Sequence, residues 1–151
     1  MQDHKMTVDP FRKTLGALLR LPYEQLASWL YQRLGEEFPG VRLPHSAVLR
    51  HITAEGSRVV DLAAAAGMTK QSMAYLVEQL LGLGFVLIDA DPDDGRAKRV
   101  RLTASGEQLY ARAMALSAEA ESQLTQLLGE TDAGELRRIL ERLNSEWRPL
   151  A

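Results

Sequence analysis

Between Val59 and Thr103 the hydrophobic period of the chain changes from helical to strand-like, and this ordered change constrains the fold more than any other feature. Leu62, Ala63 and Ala66 form one stripe at helical spacing inside a run of alanines, whose small side chains let a second helix cross closely. Gly67 follows as a residue able to end that helix at positive φ, and Thr69 offers a hydroxyl to cap the next. The spacing predicts this second helix from Lys70 to Leu81, with Met73, Leu76, Val77, Leu80 and Leu81 on its buried face. Phe85 to Ile88 then reads as one strand, and Arg99 to Leu102, alternating polar and apolar, as another. The intervening ADPDDGRAK is too long for a two-residue turn, carries Asp-Pro and Asp-Gly turn signals, and ends in the cations Arg96, Lys98 and Arg99. Helix, turn, helix and hairpin in this order describe a winged helix-turn-helix, a fold that is mainly α with a small β-wing.

The chemistry of such a module is recognition of double-stranded DNA. A recognition helix sets its N-terminal residues against base edges in the major groove. Thr69, Lys70, Gln71, Ser72 and Tyr75 occupy that end and face: Gln suits adenine, Lys suits guanine or a phosphate, Ser suits several partners, and Tyr can stack or touch a thymine methyl. A loop carrying Arg96, Lys98 and Arg99 suits the negative potential of a narrow minor groove. Asp94 is expected to order that loop, either by accepting bonds from local amides or by pairing with Arg96. The blander readings are an amphipathic helix with a solvated polar face and a hairpin whose charges keep a sheet edge soluble.

At these residues the chain resembles the MarR family of bacterial winged-helix regulators. The matching signature is DLA at Asp61 to Ala63, then GMTKQSMAYLVEQL, LGFV at Leu83 to Val86, the wing DPDDGRAK from Asp91 to Lys98, and VRLTASG from Val100 to Gly106. The wing followed by LTxxG is the more specific part, and the likeness extends over nearly the whole chain. It implies an obligate dimer on an imperfect palindrome, Arg96 in the minor groove and Thr69 to Tyr75 in the major groove. It also implies release by a small, often aromatic or phenolic ligand near the junction of the pairing helices and the DNA-binding lobe. Two positions depart from the family: Tyr75 stands where a basic residue is common, and Ile88-Asp89 where an Arg is common. Both remove phosphate contacts.

The flanking sequence reads as helices suited to pairing two copies. Phe11, Leu15, Leu18 and Leu19 give a short apolar stripe, and Pro22 opens a helix with Leu26, Trp29, Leu30, Arg33 and Leu34 at helical spacing. Pro44 opens another segment, with Val48, Leu49 and Ile52 inward and Gly56 past its end. Thr103 caps a long helix bearing Leu109, Ala113, Leu116, Ala120, Leu124 and Leu127. Asp132 and Glu135 have the spacing of a capping box for a last helix that buries Leu136, Ile139, Leu140, Leu143 and Trp147. The expectation is one domain over 1–151: a DNA-binding lobe at 44–103, and helical dimerisation segments at 11–38 and 104–148. Stripes folded back onto their own domain are the alternative to a two-fold helical interface.

Composition narrows the function. The net charge of −2 is unusual for a DNA-binding chain, but the acidic excess falls after residue 104, while Arg96, Lys98, Arg99 and Arg101 cluster in the wing. Modest non-specific affinity follows. There are no cysteines, which excludes disulfides, cysteine-based zinc sites and thiol oxidant sensing. His45 and His51 do not share a helical face and His4 stands far from both, so no metal site is expected. Nor is there a nucleophile–base set or a paired-carboxylate site, and the chain is expected not to be an enzyme and to need no cofactor. Tyr23, Trp29 and His45 are the aromatic candidates for an effector pocket. No apolar run approaches a membrane span and no signal-peptide pattern leads the fold, so no membrane partner and a cytoplasmic location are expected. The residues support a DNA-binding regulator that acts as a homodimer, and the resemblance implies a repressor released by a small ligand. The other reading is a dimeric ligand- or protein-binding module on the same scaffold with little DNA affinity.

Overall fold

The computed structural model describes residues 14–148; Phe11 and His4 lie outside the described residues. These residues fall into two compact units, the first ending at Ala113 and the second beginning at Met114. The architecture is mainly helical with one two-stranded antiparallel sheet. No helix among the described residues is long and apolar enough to cross a membrane.

In the first unit, α1 runs Leu15–Glu37, capped by Thr14, whose hydroxyl accepts the Ala17 amide at 3.2 Å. The expected break at Pro22 does not occur: the helix passes through it. A mid-helix proline lacks the N–H that would bond the carbonyl four residues back. Pro22 is exposed, so water can take the carbonyl it leaves free. A 3₁₀ turn at Leu43–His45 leads into a single helical turn, α2 (Ser46–Leu49). The segment opened by Pro44 therefore stops earlier than expected. Ile52 lies beyond it and half-buried, and Gly56 takes φ +86° just before Ser57, which bridges to Val100.

The central module follows the sequence closely. Helix α3 (Val59–Ala66) buries Leu62 and Ala63, and Gly67 ends it in the left-handed conformation, φ 64°. Helix α4 (Lys70–Gly82) buries Met73, Leu76, Val77 and Leu80. Leu81, expected on that face, is instead exposed at the helix end. Strands β1 (Val86–Ala90) and β2 (Lys98–Leu102) pair antiparallel from Val86 opposite Leu102 to Ala90 opposite Lys98. The hairpin thus pairs further toward its tip than the apolar runs suggested, and Phe85 precedes the first strand. The Phe85 ring meets Phe38 edge-on, centroids 5.9 Å apart, which ties the end of α1 to the hairpin.

Helix α5 (Ala104–Leu128) starts as expected at Thr103, whose hydroxyl accepts the Gly106 amide at 3.1 Å and donates to the Gly84 carbonyl at 2.6 Å. In the second unit, the later part of α5 is followed by α6 (Glu130–Glu146). The expected capping box is absent. Gly129 at φ 83° breaks the chain earlier, so Asp132 and Glu135 lie inside α6, and Glu135 pairs with Arg138. Acidic Glu130 and Asp132 still favour the positive end of the helix dipole. Leu136, Ile139, Leu143 and Trp147, expected to be buried, are exposed in the single chain, and Leu140 is half-buried.

Candidate nucleic-acid interface

Helix α4 presents its first turn outward because its start is locally determined. Thr69 stays extended at φ −70°, ψ 150°, and its Oγ1 accepts the Ser72 amide at 3.1 Å. The same hydroxyl lies 2.9 Å from Ser72 Oγ and donates to it, which leaves the Ser72 O–H available to another acceptor. Thr69 therefore acts as the cap, with its proton and one of its two lone pairs used within the helix start. Lys70, Gln71, Ser72 and Tyr75 are all exposed, and Gln71, Ser72 and Tyr75 share one side of the helix by their spacing.

Further along the same side of α4, a polar contact adds to the apolar packing. His45 is 1% exposed. Its Nδ1 accepts the Arg42 backbone amide at 3.0 Å, so the ring proton sits on Nε2 and is donated to Gln79 Oε1 at 2.9 Å. Burial pushes the His45 pKa down, against the opposing effect of the Gln79 bond. The neutral ring thus ties the later turns of α4 to the 3₁₀ turn. His45 does not line the neighbouring cleft, and neither does Trp29, whose ring is covered by the Arg33 guanidinium at 5.0 Å. Of the three aromatic candidates only Tyr23 does so, held by a bond from Arg50 at 3.1 Å. The cleft has a volume of about 690 Å³ and is lined by Tyr23, Leu43, Pro44, Ala47 and Met68 together with Gln71, Ser72 and Tyr75.

The wing is ordered at two levels. At its tip, Asp94 Oδ1 accepts the Arg96 amide at 3.1 Å and the Asp94 carbonyl accepts the Ala97 amide at 2.9 Å. Asp94 bonds backbone rather than the Arg96 guanidinium, which is exposed and, among the described residues, held by no hydrogen bond or ion pair. Lys98 is exposed beside it. Arg99 behaves differently: its guanidinium lies 3.1 Å from Asp91 and 3.1 Å from Asp93 and does not project with Arg96. Asp91, at the base of the loop, has a wholly inaccessible side chain. Its Oδ1 accepts the Asp93 amide at 2.9 Å, and its Oδ2 meets Arg58 Nε at 2.7 Å and Arg99 Nε at 3.1 Å. These bonds, the Asp93 amide foremost and then the two guanidinium groups, hold its pKa down to about 2 against the opposing effect of burial.

Arg58, Asp91, His45's partner Gln79 and the pairing of Arg99 escaped the sequence reading. Asp91-Pro92 registers there only as a turn signal. One local sign was present: Arg58 occupies the position that caps α3, where Ser, Thr, Asp or Asn would be expected.

A family model described as the MarR family matches residues 40–97, which contain α2, α3, α4 and most of the wing. The HTH-type transcriptional repressor Rv2887 of Mycobacterium tuberculosis (strain ATCC 25618 / H37Rv) is 32% identical over 108 residues, 71% of this chain and 78% of the relative. The transcriptional regulator HosA of Escherichia coli O111:H- is 29% identical over 135 residues, 88% of this chain and 96% of the relative. Among solved structures, CouR from Rhodococcus jostii RHA1 bound to p-coumaroyl-CoA superposes with a TM-score of 0.68 at 23% identity, covering 91% of this chain and 96% of that one. The repressor CouR on a 23-mer DNA duplex gives 0.68 at 22% identity, covering 89% and 94%.

Proposed function

Because the chain belongs to the MarR family of winged-helix transcriptional regulators, we propose that it is a cytoplasmic homodimer that holds a pseudo-palindromic operator and represses transcription until a small aromatic ligand releases it. The observation that carries the DNA-binding part is a capped helix start exposing Lys70, Gln71, Ser72 and Tyr75 in the same compact unit as a hairpin tip exposing Arg96. In this reading α4 enters the major groove, Gln71 and Ser72 meet base edges, and Lys70 and Lys98 meet phosphates. Arg96 enters the minor groove. Arg99 is left out of the contact set because its charge is already engaged by Asp91 and Asp93.

The cleft supports the ligand part. Its volume of about 690 Å³ suits a small organic molecule, and its walls are apolar apart from hydroxyl and amide groups that can fix orientation. A ligand there would lie against Gln71, Ser72 and Tyr75, the side chains assigned to the groove, so occupancy and operator binding would compete. The naming of Rv2887 as a repressor and the CouR structures with DNA and with p-coumaroyl-CoA support repression and an aromatic effector.

A mobility-shift assay on the DNA immediately upstream of its own gene tests the proposal. A discrete shifted band is expected, lost on Arg96→Ala and reversed by one of a panel of hydroxybenzoates and hydroxycinnamates. No band at low salt would discard the DNA-binding reading. A band insensitive to the whole panel would discard the aromatic effector.

A further inference from the structure

The Asp91 carboxylate lies in the DNA-binding unit, has no accessible surface, and belongs to none of the groups assigned to DNA. A buried carboxylate is tolerated only where donors replace water, and its donors come from separate parts of the unit. Arg58 stands directly before α3, the first helix of the helix-turn-helix; Arg99 lies on β2; the Asp93 amide belongs to the loop. The backbone of Asp91 adds to this, since its amide donates to the Ala97 carbonyl at 2.9 Å and its carbonyl accepts the Asp94 amide at 3.3 Å. One residue thus closes the loop that carries Arg96 and fastens it to the segment that starts α3.

Arg58 makes the arrangement informative. At the capping position of α3 a short hydroxyl or carboxylate would satisfy a free helix amide, and Arg58 makes no such bond. Its guanidinium reaches Asp91 instead, 33 residues away. A local preference is given up for a long-range contact, which is the pattern of a side chain kept for position. The backbone bridge between Ser57 and Val100 already ties the middle of β2 to the same segment. The ion triad extends that tie to the loop end of the hairpin.

We propose that Asp91 is a positioning residue for DNA binding: with Arg58 and Arg99 it locks the wing against the helix-turn-helix, so that Arg96 reaches the minor groove while α4 is in the major groove. The proposal rests on the DNA-binding reading above, but its mechanical half is independent of it.

The test uses the full chain, with Asp91→Asn and Arg58→Gln alone and each combined with Arg96→Ala. Hydrogen exchange at neutral pH reports the lock without DNA. The amides of residues 91–99 should exchange faster in both single variants while those of α4 stay protected. Anisotropy on a labelled duplex of the upstream DNA reports its consequence. Asp91→Asn removes a negative charge near DNA, so electrostatics alone would tighten binding. The lock predicts the opposite, a loss of about tenfold as Arg96 loses its aim, and no further loss in the Arg96→Ala background. Arg58→Gln should follow the same pattern, and it decides the matter if Asp91→Asn does not fold. Unchanged wing exchange in the folded variants overturns the proposal. So does binding as tight as wild type, or an undiminished loss without Arg96. Failure of the wild-type protein to bind any upstream DNA sinks the functional reading instead, and the exchange result then judges the lock alone.

Discussion

Gln71 and Arg96 carry different kinds of information in the proposed complex, and their replacements should fail differently. Gln71→Ala should cost about 1–3 kcal/mol at the preferred operator and blur one base position per half-site, as a selection assay on randomised duplexes would detect. Arg96→Ala should weaken binding to many sequences and lower the slope of log affinity against log salt by about one, because fewer counterions are released. Its thermal stability should stay near wild type, since the side chain is exposed and makes no hydrogen bond or ion pair among the described residues; a lowered melting temperature with an unchanged salt slope would make Arg96 structural and remove the wing assignment. Asp91 makes a third prediction, about acid. Its folded pKa of about 2 lies below the ordinary 3.8. Its ionised form therefore contributes stability that is present above the ordinary value and lost as pH falls from there toward about 2. Urea unfolding should find Asp91→Asn less stable than wild type near neutrality, with the gap closing through that acid window. The residue scale is also where sequence reading was least complete. Thr69 could be assigned as a cap because its bond is made three residues along. Asp91 could not be assigned, because Arg58 is 33 residues away and only the folded hairpin brings Arg99 onto it.

At the scale of elements, the LTxxG that follows the wing has a physical explanation in Thr103 and Gly106. The first turn of α5 lies so close to the start of the hairpin that a Cβ on Gly106 would stand 1.9 Å from the Phe85 carbonyl oxygen. That oxygen also accepts the Thr103 amide at 3.1 Å, so it cannot withdraw without losing the junction. Alanine normally favours a helix over glycine by up to about 1 kcal/mol. Here Gly106→Ala should instead destabilise by about 1–3 kcal/mol or more, because backbone must shift. A urea midpoint at or above wild type would show that α5 can move away from the hairpin freely. Elements were legible where one local signal ruled, as with Gly67 ending α3 or the apolar face of α4. They were misread where two signals competed. Proline favours a helix start, which points to Pro22, but the residues on both sides of it continue one helix. Asp132 and Glu135 had capping spacing, yet Gly129 at φ 83° ends α5 first and starts α6 ahead of them.

At the scale of the whole molecule, the single chain leaves apolar surface that a stable protein in water would cover. On α6, Leu136, Ile139 and Leu143 recur at helical spacing and are 43%, 38% and 41% exposed, with Trp147 at 66%. On α1, Leu15, Leu18 and Leu19 are exposed as well. Apolar stripes of this kind are unusual on a monomer, and a two-fold contact between identical chains covers each stripe without demanding a second protein. A lasting contact of this kind buries upward of about 1,000 Å², which a whole helix face can supply. Both the pairing and the operator symmetry follow from that reading. Deleting residues 131–151 should convert a dimer into monomers or aggregates in sedimentation experiments, and the melting temperature of the full chain should rise with its concentration. An intact, well-folded dimer after the deletion would remove α6 from the interface. If the two copies present their α4 helices by two-fold symmetry, footprinting should show two half-sites about 10 bp apart, one turn of DNA. A single asymmetric half-site, protected by a protein that sediments as a dimer, would mean that only one recognition helix reaches the duplex. The stripes on α1 and α6 would then join the chains without placing both wings on DNA.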